Sequence, residues 1–502
     1  MIHLPILSLL IWLPIFAAIL IMLVGQNKHY TQMLSIAVSL ISLGLCWPLI
    51  QHFNFDSAAF QWQEKLAWIP SWHANYALGI DGITLPLVVL TILIHSIIIL
   101  TAPKLVDKQF RLYQAAFLML QGVTIGVFSA LDTLLFYFFW EGMLIPMYLC
   151  IGIWGGEARQ YASVKFFLYT FFGSALLLIA IIYLGIDAGS FAWQDQVQTV
   201  LSLPVQKMLF LGFFFAFAIK VPMWPVHTWL PDAHTEAPAA GSVILAALML
   251  KVGAYGFFRF SLPILPDASR FFATPMVILS LIAIVYIGLV ALVQKDMKRL
   301  IAYSSVAHMG FVTLGCFAIY RIVVASDVSF GQLAMEGALM QMIAHGFGSG
   351  AMFLAFGLLY ERYHTRAIDQ FGGIAKMMPF FAVCFMIFAL TNVGLPGTAG
   401  FVGEFTVILS LFQASGGLAC LAGLTLVIGG AYTLWMFKRV FYGAVANDQV
   451  AALSDIQGVE RFALVILVLF IFLLGLFPEL VLKPAHPAVA KLVQQALTSK
   501  VI

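Results

Sequence analysis

Six ionisable residues stand in stretches of this sequence that are otherwise apolar, and their types are those that hold and pass protons. They are Glu141, Lys220, Lys251, His308, His345 and Glu404. Glu141 sits in Leu134-Leu-Phe-Tyr-Phe-Phe-Trp-Glu-Gly-Met-Leu-Ile-Pro146, with no other charge between Asp132 and Glu157. A carboxylate there is tolerable if a cation partners it, and Lys220 is the expected partner. Burial disfavours both charges and pairing favours both. A pair held between those tendencies is switched by a small movement or by water, as a proton gate requires. A protonated acid satisfied by a neighbouring helix is the plainer alternative. Lys220 and Lys251 do not read as lysines snorkelling to an interface. Lys220 precedes a helix break, and Lys251 lies about a dozen residues into its helix. Lys165, within about a turn of a basic loop, fits that plainer reading better.

His308 lies in Ala302-Tyr-Ser-Ser-Val-Ala-His-Met-Gly310, with Ser304 one helical turn earlier on the same face. His345 lies in Met342-Ile-Ala-His-Gly-Phe-Gly-Ser-Gly350, whose glycines permit close helix approach. A single histidine on an apolar face is most simply a hydrogen-bonded core residue. Two in adjacent spans, between lysine and glutamate, point to a relay, because imidazole titrates near neutral pH. Neither has a metal ligand one turn away, so no metal site is indicated. Glu404 follows a Gly/Pro break and either caps exposed backbone there or ends the series. The six residues are spread over consecutive spans. That arrangement suits a lateral chain along the membrane plane better than a single vertical pore.

The elements that position them are membrane helices. The 502 residues are 62% hydrophobic and 9% charged, with mean hydropathy +1.01. A spanning helix needs roughly 20 apolar residues, and such runs recur along almost the whole chain. About fourteen spans are expected, from 4–24 to 461–481, in an all-α polytopic membrane protein. The first apolar run reads as a span rather than a cleaved signal. Around 205–226, Lys220 is followed by Pro222 and Pro225, then His227, Asp232, His234 and Glu236. Proline removes a backbone donor and clashes with the preceding turn, so this span is expected to break mid-membrane. The stretch Thr391-Asn-Val-Gly-Leu-Pro-Gly-Thr-Ala-Gly-Phe-Val-Gly-Glu404 predicts a second break.

Each break falls in the fourth span of a five-span unit. An odd span number inverts the second unit relative to the first, and paired broken helices in inverted halves point to a transport site. The expected divisions are helices 1–3 in 1–111, a first inverted repeat of helices 4–8 in 112–260, a second of helices 9–13 in 272–441, and helix 14 with a tail in 442–502. Basic loops cluster on one side, at Lys28, Lys104, Lys108, Arg111, Arg159, Lys295, Lys298, Arg299, Arg362, Arg366, Lys376, Lys438, Arg439 and Arg461. The positive-inside rule makes that side cytoplasmic and both termini external. The segment 51–77, with Trp62, Trp68 and Trp72, suits an external interfacial position.

Several functions are set aside. The net charge of +3 is small and dispersed, which argues against nucleic acid as a partner. Cys46, Cys150, Cys316, Cys384 and Cys420 lack the close spacing of a cluster site or a disulfide framework. No GxGxxG or Walker-type loop signals a nucleotide.

The 216–259 stretch, Phe139-Trp-Glu141, Ser304-Ser-Val-Ala-His-Met-Gly310 and Leu395-Pro-Gly-Thr-Ala-Gly-Phe-Val-Gly-Glu404-Phe resemble the antiporter-like membrane subunits of respiratory complex I. The resemblance covers nearly the whole chain and is greatest for the M (chain 4) type. The chain lacks the lateral helix that extends the L type, and Glu404 stands where L and N types usually carry lysine. The resemblance implies a proton-translocating subunit of NADH:quinone oxidoreductase. Glu141 and Lys220 would be the gating pair, Lys251 the connector, His308 and His345 the central axis, and Glu404 the exit-side residue. It implies L-type and N-type neighbours and surrounding lipid, in a bacterial inner membrane. No cofactor is expected in this chain; FMN, iron–sulfur clusters and quinone would belong to partner subunits. The alternative is a D-type subunit of a multisubunit Na⁺/H⁺ antiporter, which shares the fold.

Overall fold

The computed structural model describes residues 4–24 and 27–501. Among them, thirteen helices are long and apolar enough to cross a membrane. The shorter pair Pro379–Val393 and Ala399–Ala414 makes one further crossing. The expected span count therefore holds, and both expected breaks are present. Helix Leu203–Lys220 ends at Lys220, and Trp229–Glu236 resumes after a turn that contains Pro222 and Pro225. Trp229 Nε1 bridges the gap by donating to Ile219 O at 2.8 Å. The second break runs from Gly394 to Thr398, with Gly394 at φ 80° and Gly397 at φ 91°, values that L side chains rarely adopt.

A third interruption, absent from the sequence reading, lies beside Glu141. Thr133–Gly142 and Leu144–Trp154 meet at Met143. Pro146 explains it, since it cannot donate to Gly142 O four residues earlier. The Ala239–Ile264 span contains π-helical turns at Leu245–Met249 and Phe257–Ser261, which flank Lys251. The fourth span starts at Phe110, the eighth runs to Ile264 and the ninth starts at Pro266.

Two elements lie outside the expected spans. Residues Gln61–Ile69 and Ala74–Ile80 form an antiparallel hairpin within the segment expected to lie at the interface. Its Trp68 and the turn's Trp72 are exposed, as an interfacial position favours. The expected C-terminal tail contains a helix, Glu479–Leu497, whose buried face carries Val481, Ala485, Ala488, Leu492 and Ala496. That spacing of three and four is one helical stripe.

The connections sort onto two faces. On the hairpin face, Leu131 N donates to Ala77 O, and Trp193 N to Leu131 O. Lys500 Nζ there donates to Pro263 O at 2.5 Å. On the opposite, basic face, Met297 N donates to Arg366 O, and Trp154 Nε1 donates to Lys108 O at 2.7 Å. Backbone and side-chain bonds thus tie connecting segments to one another at both surfaces.

Candidate functional site

Helix Val328–Tyr363 runs through the centre of the molecule with nearly all of its middle buried. It packs against helices of both units, including Met297–Ala325, Ala239–Ile244 and Ala399–Ala414. His345 lies on it, and the side chains expected to carry protons converge from its neighbours. Lys251 Nζ donates to His345 Nδ1 at 2.6 Å and to Ala246 O at 2.5 Å. The rings of His345 and His308 stand 5.9 Å apart, centroid to centroid. His308 Nδ1 donates to Glu404 Oε1 at 2.6 Å. All four residues are buried. Lys251, His345, His308 and Glu404 therefore form one line, two bonded pairs whose histidine rings face each other.

The sequence explains the local geometry. The π turn before Lys251 lets its ammonium reach back to Ala246 O, five residues earlier. Widened turns of this kind recur at functional sites. At Gly403 a Cβ would lie 2.6 Å from Gln341 N. Only glycine allows the Glu404 helix to approach so closely. The approach brings Gln341 Nε2 to Glu404 Oε1 at 3.0 Å, a contact the sequence reading missed. The relevant signal was the helical spacing of four between Gln341 and His345. A cavity of about 10 Å³ for the centre of a water-sized sphere is lined by His308, Gln341, His345, Ser349, Asn392 and Glu404. That is close to the room one water occupies. Within this centre, Nε2 of each histidine has no protein partner. Ser304, expected on the histidine's face, bonds to Ile301 O instead.

Lys220 and Glu141 are arranged differently from expectation. Among the described residues no ion pair within 4.0 Å joins them. Lys220 is buried, and its Nζ lies 4.3 Å from the centre of the Trp140 ring. Neighbouring helical residues point about 100° apart. Trp140 therefore covers the lysine while Glu141, the next residue, turns away. Glu141 is half-buried and borders a cavity of about 770 Å³ with Trp12, Trp68, Tyr137 and Phe167. Lys220 also packs directly on the Lys251 helix, since a Cβ at Gly253 would lie 2.9 Å from Lys220 Cβ. Lys165 behaves as the plainer reading had it: its Nζ pairs with Asp232 Oδ2 at 2.7 Å near the basic face.

A polar cavity of about 390 Å³ opens between basic-face loops, bordered by Lys108, Arg159, Glu236, Ala239, Lys298 and Arg366. Lys298 Nζ donates to Ala237 O. Arg366 Nη1 donates to Thr235 O and pairs with Glu236 Oε1 at 3.4 Å. At the rim, Lys28 donates to Asp107 at 2.5 Å and holds that carboxyl below its ordinary value. Ala239 begins the helix that carries Lys251. The cavity therefore reaches the end of the helix whose middle belongs to the buried line.

Fold and site together define a class: polytopic helical membrane proteins that string ionisable side chains between two broken helices. The family described as NADH:quinone oxidoreductase/Mrp antiporter, TM matches residues 130–429. NADH-quinone oxidoreductase subunit M of Rhodobacter capsulatus is 44% identical, over 97% of this chain and 96% of that one. NADH-ubiquinone oxidoreductase chain 4 of Marchantia polymorpha is 39% identical over 97% of each. Among solved structures, a chain of respiratory complex I from Thermus thermophilus with bound NADH superposes with a TM-score of 0.86. It is 30% identical and covers 97% of this chain and 99% of that one. A chain of the Mrp complex from Dietzia sp. DQ12-45-1b has the same TM-score at 20% identity, which is a likeness of fold alone. The chain belongs to the NADH:quinone oxidoreductase/Mrp antiporter membrane family. Within it, the end-to-end match to M-type relatives places the chain among the membrane-arm subunits of complex I rather than the Mrp antiporters.

Proposed function

We propose that this chain carries protons along the membrane plane from Lys251 through His345 and His308 to Glu404, driven by redox chemistry in other subunits of an NADH:quinone oxidoreductase. The observation that carries the reading is the line itself: two 2.6 Å contacts, with histidine rings 5.9 Å apart between them. Every group on it can bind and release a proton, and the histidines have unoccupied ring nitrogens for a second partner. The 390 Å³ cavity at the basic face supplies an intake toward Lys251, with Glu141 and Lys220 as the ionisable residues of the intake half. The basic face is cytoplasmic and both termini are external, in a bacterial inner membrane. The L-type and N-type subunits are the neighbours. Flavin, clusters and quinone lie in partner subunits, and this chain contributes no redox centre.

The test is Lys251→Met in the assembled complex, reconstituted in vesicles and driven by NADH. Proton uptake is expected to fall to a small fraction of wild type. Undiminished uptake by the assembled variant would refute the line.

A further inference from the structure

The helix that carries Lys251 ends differently at its two faces. At the basic face its first residue, Ala239, borders the 390 Å³ polar cavity. Toward the hairpin face, Tyr255 and Arg259 follow Lys251 at successive spacings of four. The lysine itself points the other way, to Ala246 O. The direct line from Lys251 along its helix toward the hairpin face runs past these two side chains. The Tyr255 hydroxyl is engaged twice, donating to Phe128 O at 3.3 Å and accepting from Arg259 Nε at 3.1 Å. Buried aromatic rings surround it. Phe128 stands edge-on to Tyr255 at 5.4 Å, and Phe136 packs on Phe260 at 4.3 Å.

Arg259 is itself buried, and its Nη2 pairs with Asp81 Oδ2 at 2.6 Å. Its guanidinium carbon lies 4.9 Å from the Phe60 ring and 5.2 Å from that of Trp193. Trp193 Nε1 also donates to Arg259 O at 2.6 Å. Asp81 is committed elsewhere as well, accepting from Ile83 N and Thr84 N at 3.1 Å each through Oδ1. The cation is therefore fixed in place by aromatic faces, a carboxylate and a clamped backbone.

We propose that Arg259 is a proton barrier: a caged, fixed cation that closes the hairpin-face end of the Lys251 helix, so that protons held at Lys251 leave only sideways through His345. The inference rests on the proton-carrying reading of Lys251. Its physical basis is independent of the relay. A guanidinium does not release its proton and so cannot serve as a step. A fixed positive charge in this buried, weakly screened region repels an arriving hydronium, as the arginines of proton-excluding pores do. Without it the Tyr255 hydroxyl would face the hairpin-face loops with a free acceptor. The stretch would then short-circuit the lateral path.

The experiment measures passive proton flux in vesicles that contain the assembled complex, under an imposed pH gradient with no NADH. Arg259→Gln is expected to raise the flux roughly tenfold, the factor that about 1.4 kcal/mol of barrier represents. Asp81→Asn removes the partner but leaves the cation, and should stay tight. A merely structural pair would leak in both the Gln and the Asn variants, and that result would overturn the proposal, as would a tight Arg259→Gln. Equal leakage of potassium would also overturn it, by showing a general defect. Should the single variant fail to assemble, Asp81→Asn/Arg259→Gln leaves no unpaired charge and carries the same test. Adding Lys251→Met to the leaky variant should restore tightness. A leak that persists there would show that Lys251 is not the proton's station, which separates failure of the relay reading from failure of the barrier.

Discussion

Replacing Glu404 with glutamine tests the terminal link of the line at nearly constant shape. Glu404 Oε1 accepts from His308 Nδ1 at 2.6 Å and from Gln341 Nε2 at 3.0 Å. An amide oxygen can accept both bonds, but as a neutral group. Hydrogen bonds to charged partners contribute about 1 kcal/mol more than neutral ones. With two such bonds the loaded state at His308 loses about 2 kcal/mol, or roughly 30-fold in a rate limited by that step. NADH-driven proton uptake in vesicles is expected to fall by about that factor, with assembly verified on native gels. Glu404→Asp retracts the carboxylate by about one carbon–carbon bond, ~1.5 Å, and should keep part of the activity. Glu404→Lys changes the charge of every loaded and empty state. It should not simply convert this chain into a lysine-bearing relative. Wild-type uptake by the assembled Gln variant would refute the reasoning and leave Glu404 as a cap on the broken helix.

Three further outcomes are expected. Glu141→Ala should remove most pumping while Glu141→Asp keeps part, read as NADH-driven uptake; undiminished uptake in the Ala variant would show that Glu141 takes no part in transport. Lys220→Ala should damage turnover far more than Lys165→Ala, because Lys220 is buried at the break while Lys165 is partly exposed and paired with Asp232. Equal losses with intact assembly would contradict that ranking. A reporter fused after Ile502 should be active only on the external side. Activity in the cytoplasm would reverse the assigned faces.

Much of the site was legible because the bilayer makes charge expensive. A lysine or glutamate inside an apolar run stands out without any structure, and so do prolines inside a span. Gln341 carried no such signal, since an uncharged amide in a helix is unremarkable until a carboxylate is found beside it. The Asp81–Arg259 pair escaped because its members are 178 residues apart and each reads singly as a loop or interface charge. The hairpin at 61–80 was obscured because its turn, at Ser71-Trp72-His73, lacks a strong glycine signal. The helix Glu479–Leu497 was legible in its spacing, but the interior Pro484 and Pro487 argued against a helix there.

Composition and periodicity settled the fourteen crossings and both broken helices, and singled out the six ionisable residues as candidates, because each follows from local chain chemistry in a membrane. Pairing could not be settled that way. Lys220 and Glu141 looked like natural partners, yet Trp140 lies against the lysine and Glu141 faces another cavity. Lys251 and His345, 94 residues apart, are in direct contact, as are His308 and Glu404, 96 apart. The reason is geometric. A residue's type and depth are set by its own helix, but the direction it faces depends on how helices rotate and cross. Here those rotations come from tight glycine approaches such as Gly403 on Gln341 and from the π turn before Lys251. Both act through packing between segments distant in the chain.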